Sequence, residues 1–294
     1  MLRRPCPGKP WDPNLLPGEI RRSPRRALSW IYRRMTAPAR GLPQVYIAGA
    51  KKGGTTSLFY YLLEHPRVLP PFRKEVKFFL YMYDLGLGWY RANFPFRRRL
   101  RTHVTLDATP SYLAHPTFGK QWRATNPTAK IIVLLRDPVA RTLSHYFQNV
   151  HRGLEPLSLE EALEAEEQRL AGEVERILQD PCHDPWRYHR FGYLTESRYI
   201  EHLERLWPHV PPEQLLVLRS EDLFQSPAQT LAQVAAFLGL EPWQPREYKI
   251  YKKGAYDFAA MSPRVRENLR AYFRPYNQRL YAALGRDMGW EAAA

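Results

Sequence analysis

The segment Tyr46-Ile-Ala-Gly-Ala-Lys-Lys-Gly-Gly-Thr-Thr-Ser57 constrains the fold of this chain more than any other. A short apolar run enters a glycine-rich turn, and the turn enters hydroxyl residues that open a helix. Backbone N–H groups freed by the glycines and by the helix N-terminus converge on an anion, and the helix dipole adds to the attraction. The spacing of Gly49 and Gly54 fits the phosphate loop G-x-x-x-x-G-K-[ST]. Thr55, however, stands where that loop has its lysine, and the lysines of this chain, Lys51 and Lys52, come earlier, inside the turn. The departure argues against an ordinary ATPase or kinase and towards a different phosphoryl-like donor.

The rest of the chain alternates strand and helix patterns. Strands are predicted near Val45–Ala48, Val104–Asp107, Ile131–Leu135 and Leu215–Arg219. Helices are predicted near 56–64, 139–152, 159–171, 198–207, 228–238 and 263–284. Such alternation implies an α/β fold, a P-loop-like three-layer arrangement with a central parallel sheet flanked by helices. With 294 residues and 44% hydrophobic content, one catalytic domain over 41–294 and a basic Pro/Arg-rich tail over 1–40 account for the chain.

Ile131–Leu135 is a continuous apolar run, as expected for a strand buried on both faces. Arg136 follows at its C-terminal edge, where open α/β sheets bind ligands. Asp137 reads as an N-cap and Pro138 as the first helical residue, which puts Ser144 about two turns into that helix. A guanidinium suits bidentate recognition of phosphate, and a hydroxyl adds a neutral donor. The bland alternative pairs Arg136 with Asp137 or Asp107 and leaves Ser144 solvated. Arg73-Lys-Glu-Val-Lys-Phe-Phe79 reads by itself as a charged loop folded over an aromatic pair.

Four segments together resemble the sulfotransferases that use 3′-phosphoadenosine 5′-phosphosulfate (PAPS), over the stretch from about Val45 to the C-terminus. Lys52-Gly-Gly-Thr-Thr56 is similar to their 5′-phosphosulfate loop. Lys74-Glu-Val-Lys-Phe-Phe79 is similar to the Lys-Glu-x-[His/Lys]-Phe-Phe segment of the heparan-sulfate-type branch, whose glutamate is the catalytic base. Lys130 to Ser144 resembles the 3′-phosphate site, and Tyr251-Lys-Lys-Gly-Ala-Tyr256 a late loop that closes over the nucleotide. The resemblance implies sulfuryl transfer from PAPS, with 3′-phosphoadenosine 5′-phosphate (PAP) as product, to an acceptor hydroxyl or less readily an amine.

By the same resemblance, Lys51, Lys52, Gly53, Gly54, Thr55, Thr56 and Ser57 hold the 5′-phosphosulfate. Arg136 and Ser144 hold the 3′-phosphate, and Lys252, Lys253 and Gly254 close the site. Glu75 removes the acceptor proton. Lys74 and Lys77 face the acceptor and the sulfuryl oxygens, and Lys52 stabilises charge on the leaving oxygen. No metal is called for, and the sequence offers neither zinc-ligand spacing nor an EF-hand loop. Two departures stand out. Ala108 occupies a position that commonly carries lysine in that branch, so one positive charge is absent or comes from elsewhere, with Lys77 a candidate. Ala255 stands where the late loop often has arginine, with Lys252 as a possible substitute.

Charge is concentrated at the N-terminus. Residues 1–40 hold nine arginines and one lysine against Asp12 and Glu19, which places about +8 of the net +15 there. Within this tail Leu28, Ile31 and Met35 share a helical face beside Trp30. That face could serve an interfacial membrane helix, a polyanion site or packing on the catalytic domain, the last being the usual use of such stripes. Residues 153–193 carry an acidic helix and then a Pro/His/aromatic loop, either an acceptor-side flap or a solvated insertion. The acceptor partner implied by the resemblance is a glycan. No apolar run approaches the roughly 20 residues of a membrane span, and no signal-peptide pattern is seen, so the expected address is cytoplasmic. In that compartment a bridge between Cys6 and Cys182 is not expected. Two rival classes stay open at this point. One is a P-loop kinase-like phosphotransferase. The other is a basic nucleic-acid- or polyanion-binding protein, which leaves Lys52, Glu75, Arg136 and Ser144 unexplained.

Overall fold

The structure, a computed structural model, describes residues 23–251 and 262–291. At its centre five strands lie in the order β2-β3-β1-β4-β5, with every pairing parallel. They are β1 (Val45–Gly49), β2 (Val68–Leu69), β3 (Val104–Asp107), β4 (Lys130–Leu135) and β5 (Leu215–Arg219). Four were predicted, and β2 is only two residues long, too short to leave a periodic trace. In register, β4 sets Ile131 beside Tyr46 and Val133 beside Val217.

The pleat sorts these strands between two cores. Tyr46, Ala48, Ile131, Val133 and Leu135 pack with Phe79, Phe118, Trp122 and Leu203. Ile47, Ile132, Leu134 and Leu218 pack on the other face with Leu58, Leu62, Leu231 and Val234. Alternate residues of one apolar run therefore serve opposite layers, which is why no polar position interrupts β4 after Lys130.

In chain order the helices are α1 (Pro24–Met35), α2 (Thr55–Leu63), α3 (Gly86–Arg91), α4 (Phe118–Thr125), α5 (Pro138–His151), α6 (Leu159–Glu164) and α7 (Glu166–Leu170). They continue with α8 (Glu173–Gln179), α9 (Trp186–Phe191), α10 (Tyr199–Leu206), α11 (Ser220–Gln225), α12 (Pro227–Leu238) and α13 (Pro263–Leu284). Asp137 caps α5 as predicted, its carboxylate accepting the Val139 N–H with Pro138 behind it. The helix expected over 159–171 is broken at Ala165. A capping box between Ser158 and Glu161 sets the start of α6. One turn later the buried Glu166 accepts the N–H groups of Leu194 and Thr195, both at 2.7 Å. That tie is tertiary, and a helical pattern cannot announce it.

Residues 153–193 form four short helices seated on α5. Leu159, Ala162 and Tyr193 pack with Val139, Leu143 and Tyr146. Glu155 clamps the segment, accepting two Arg169 hydrogen bonds at 2.6 and 3.0 Å and the Tyr193 hydroxyl at 2.8 Å. Cys182, within it, is disulfide-bonded, against the expectation from the sequence, and Cys6 lies outside the described residues. At the other end of the chain α1 rests on α3 through Trp30, whose ring meets Trp89 edge to face at 5.8 Å. The helix does pack on the domain, but with its Leu28, Ile31 and Met35 face turned outward.

Candidate active site

The strand-turn-helix segment folds as its glycines require. Ala50 N–H reaches across to the Leu134 carbonyl at 2.7 Å, and Gly53 N–H closes the turn on the Ala50 carbonyl at 2.9 Å. A side chain at Gly53 would bring its Cβ to 2.6 Å from the Leu134 oxygen and 2.9 Å from the Ala50 oxygen. Only a residue without Cβ lets the turn lie this close to β4. Gly54, at φ +86°, then opens α2, whose first N–H groups have no intrahelical acceptor and face out of the helix end. Thr55 is buried there and Thr56 half-buried. Ser57 is fully buried, and its hydroxyl oxygen accepts the Tyr251 N–H at 3.1 Å.

Arg136 leaves the C-terminal edge of β4 and donates from Nη1 to the Lys52 carbonyl at 3.3 Å. The two segments expected to hold opposite ends of one nucleotide are thus in direct contact. Of the alternative partners, Asp137 feels the Arg136 guanidinium while serving as a cap, and Asp107 is engaged elsewhere. Asp137 caps α5, and Asp107 accepts the hydroxyls of Tyr90, Tyr112 and Thr109 at 2.9, 2.8 and 2.7 Å. Ser144 is buried two turns into α5, where the sequence places it.

Among the described residues, three non-glycine residues have a left-handed backbone: Lys52 (φ 71°), Glu75 (φ 57°) and Lys77 (φ 59°). All three were singled out from the sequence for chemistry. Side-chain-bearing residues held at positive φ carry a conformational cost, and such costs gather at ligand sites. The surroundings impose the strain on the 75–78 loop. Lys77 N–H donates to the Thr109 hydroxyl at 3.2 Å and Phe78 N–H to the Tyr112 hydroxyl at 2.9 Å. Val76, completely buried, anchors the loop between the two exposed-side charges, and its N–H also serves Asp107. Burial raises the Asp107 carboxyl, opposed by its hydroxyl donors. Glu75 itself meets Lys74 Nζ at 3.0 Å. Ala108, next to Asp107, is completely buried in the core against Ile47, so the charge absent at that position has no opening there.

Lys51 reaches behind the turn. Its ammonium lies 2.7 Å from His145 Nε2, donates to the His189 carbonyl at 2.6 Å and stands 3.9 Å from Glu196. Behind it is a buried polar hub that sequence reading missed. Arg141 donates to Glu196 at 3.1 Å and to Ser197 Oγ at 2.5 Å, and His189 Nδ1 lies 3.1 Å from Glu196. Burial would raise the Glu196 carboxyl, but Lys51, His189, His145 and Arg141 outweigh it and hold it well below the usual carboxylate range. Burial pushes the Lys51 ammonium down to about 8 against the pull of Glu196. The one available signal was Arg141 and His145 at i, i+4 on a helix otherwise read for Ser144. Lys252, Lys253, Gly254 and Ala255 lie outside the described residues. The segment leading to them is tied down, since Tyr251 stacks on Tyr60 at 4.4 Å as well as bonding Ser57.

The sulfotransferase domain profile matches residues 42–262. Mouse heparan sulfate glucosamine 3-O-sulfotransferase 3B1 is 31% identical over 277 residues, covering 87% of this chain and 66% of the mouse protein. Human heparan sulfate glucosamine 3-O-sulfotransferase 3A1 is 30% identical, covering 85% of this chain and 63% of its own length. The chain therefore spans a little under two thirds of these relatives. A crystal structure of a sulfotransferase from Alicyclobacillus acidocaldarius superposes with a TM-score of 0.62 at 29% identity, covering 85% of this chain and 99% of that one. These matches displace the kinase-like reading of the turn.

The cytoplasmic address expected from the sequence is corrected by the same comparisons. A membrane-associated sulfotransferase of Dictyostelium discoideum is 28% identical over 85% of the chain. No helix among the described residues is long and apolar enough to cross a membrane, and that fact alone assigns no compartment. Matched by the domain profile along most of its length and paralleled there by the mammalian enzymes, the chain belongs to the sulfotransferase family.

Proposed function

We propose that this protein transfers the sulfuryl group of PAPS to a hydroxyl group of a carbohydrate acceptor. The observation that carries the reading is the contact between Arg136 and the Lys52 carbonyl, which joins the glycine-rich turn to the start of α5. A cradle of backbone N–H groups, closed to side chains at Gly53, suits a tetrahedral anion. Arg136 and Ser144 would take a second phosphate on the same nucleotide. PAPS, when bound, supplies an activated sulfuryl group and a bisphosphate leaving group.

The residues of the chain would divide the remaining work. Lys52, Thr55 and Thr56, with Gly53 and Gly54, would hold the 5′ end of the donor, and Lys52 would neutralise charge gathering on the leaving oxygen. Glu75 would accept the proton of the acceptor hydroxyl as the new S–O bond forms. Lys74, 3.0 Å from Glu75, would stand beside the acceptor, and Lys77 would face the sulfuryl oxygens. Thr109 and Tyr112 hold the backbone of this loop, so the base is positioned from beneath. The carbohydrate acceptor is inferred from the mammalian relatives, which are heparan sulfate glucosamine 3-O-sulfotransferases.

Calorimetric titration with adenosine 3′,5′-bisphosphate tests the donor half of the reading. Arg136→Ala is expected to weaken binding by about 10- to 100-fold, the usual worth of a charge-assisted contact. Turnover on desulfated and sulfated glycans tests the other half. Glu75→Gln is expected to lower kcat by about 10²- to 10⁴-fold while bisphosphate affinity stays within about threefold. An active Gln variant would remove Glu75 from the role of base. Bisphosphate affinity unchanged in Arg136→Ala would remove that arginine from the donor site.

A further inference from the structure

The N-terminal helix α1 is amphipathic in the inverted sense. Leu28, Ile31, Tyr32 and Met35 fall at i, i+3, i+4 and i+7, the spacing with which a helix ordinarily covers a core. Here that stripe faces outward, at 67%, 54%, 56% and 77% exposure. The helix is not loosely attached. Trp30, only 6% exposed, packs on Trp89, and Ala27 joins the same core. The apolar stripe is therefore held in water by a helix whose opposite face is anchored.

Phe72, 55% exposed, extends the apolar surface. Arg40 links the two parts, its guanidinium 5.9 Å from the Tyr32 ring of the stripe and 5.2 Å from that of Phe72. Contiguous exposed apolar surface of this kind marks an interaction site. The two chain segments that flank it on one side carry one sign of charge. Residues 23–40 and 96–103 contain no aspartate or glutamate but hold Arg25, Arg33, Arg34, Arg98, Arg99 and Arg101 among their arginines. The two stretches are joined in space, because Arg97 donates to the Pro38 carbonyl and Arg40 stacks on Phe96. Beside them opens a cleft of about 550 Å³ lined by Arg40, Arg91, Arg97 and Arg101 without an acidic side chain.

We propose that α1, Phe72 and the 97–101 arginines form a surface that docks on an anionic lipid bilayer, with Leu28, Ile31 and Met35 entering the headgroup region. Charge complementarity selects this occupant. A basic rim around an apolar stripe is how a helix lies in a bilayer interface, where arginines meet lipid phosphates while aliphatic side chains leave water. A sulfated glycan would use the arginines and leave the stripe in water. A second copy of the chain would bring two arginine-rich rims together.

Sedimentation of the full chain with lipid vesicles tests this. Binding is expected to vesicles of phosphatidylcholine with about 30% phosphatidylserine, to weaken with salt, and to be slight on phosphatidylcholine alone. The triple variant Leu28→Ser, Ile31→Ser and Met35→Ser is expected to bind about tenfold more weakly, with its melting temperature nearly unchanged because the stripe supports no core. The variant Arg98→Gln, Arg99→Gln and Arg101→Gln, remote from the Trp30 seat, is expected to lose the preference for anionic lipid. Wild-type protein that stays in the supernatant with both vesicle types overturns the proposal, as does a serine variant that binds like wild type. A dimer dissolved by the serine variant, or heparin retention that the same variant abolishes, assigns the surface to another occupant and overturns it as well.

Discussion

Two regions meet at the glycine-rich turn, and they are built in opposite ways. The cradle side consists of backbone held in costly conformations, at Lys52, Glu75 and Lys77, with half-buried cations around it. The hub side, reached through the neighbouring Lys51, consists of ordinary backbone carrying a dense set of buried charges: Arg141, His145, His189 and Glu196. Lys51 is bonded into the hub, and the charges of Lys52 and Lys77 reach His145 and Lys51 there. The first region is marked by strained backbone, the second by buried charges already paired with one another. A buried charge cluster with its partners in place stabilises one arrangement of the chain, and removing the carboxylate its cations share is costly. Strained backbone of this kind gathers at ligand sites.

The most damaging way to probe the contrast is at Glu196. Glu196→Ala leaves Arg141 buried without its carboxylate and should destabilise the fold by about 3–5 kcal/mol in denaturant titrations. The pH dependence follows from the depressed carboxyl. Its stabilising effect is fully present above the ordinary value of 4.5 and is lost as pH falls below that towards the folded value. Glu196→Gln should therefore flatten the acid limb of the stability curve. A Gln variant that unfolds in acid like wild type would show that the hub does not govern that limb.

Gly53→Ala probes the cradle side. The added Cβ meets two carbonyl oxygens at 2.6 and 2.9 Å, so the turn must move away from β4. Overpacking of this kind costs about 1–3 kcal/mol, less than the hub variant. Its effect on ligand binding should be larger than its effect on stability. A shift of the turn by a few tenths of an ångström misdirects several N–H donors at once, and bisphosphate binding should fall by about 10²-fold. If stability falls and binding does not, the turn is not the anion cradle.

The sequence made one side of this comparison legible and left the other hidden. Gly53, Gly54, Lys52 and Arg136 were readable because close backbone approach and strand-end position restrict which residues can stand there. Asp137 and Pro138 announced the start of α5 for the same local reason. The hub draws Lys51, Arg141, His189 and Glu196 from segments up to 145 positions apart, and nothing local requires a charge at any of them. Glu196 sits in a stretch that reads as a loop before a helix. The outward stripe of α1 was misjudged because periodicity identifies an apolar face without saying what covers it. Trp30, one residue off that stripe, carries the anchoring contact.

Lys51→Met should have the smallest effect and sharpens the comparison most. If Lys51 belongs to the hub, bisphosphate affinity should stay within about threefold, whereas a cradle lysine contacting phosphate would be worth tenfold or more. Stability at pH 7 should change by about 1 kcal/mol or less, because the cost of burying the ammonium opposes a long ion pair to Glu196 at 3.9 Å. The difference between the two proteins then depends on pH in a defined direction. Burial lowers the Lys51 ammonium from 10.5 to about 8, so between those values the unfolded chain binds the proton that the folded protein has released. Wild-type stability should rise relative to Lys51→Met as pH increases through this window, measured as melting temperatures from pH 7 to about 10. A Met variant that tracks wild type across the window but loses bisphosphate affinity would return Lys51 to the cradle, and the division between the two lysines would fail.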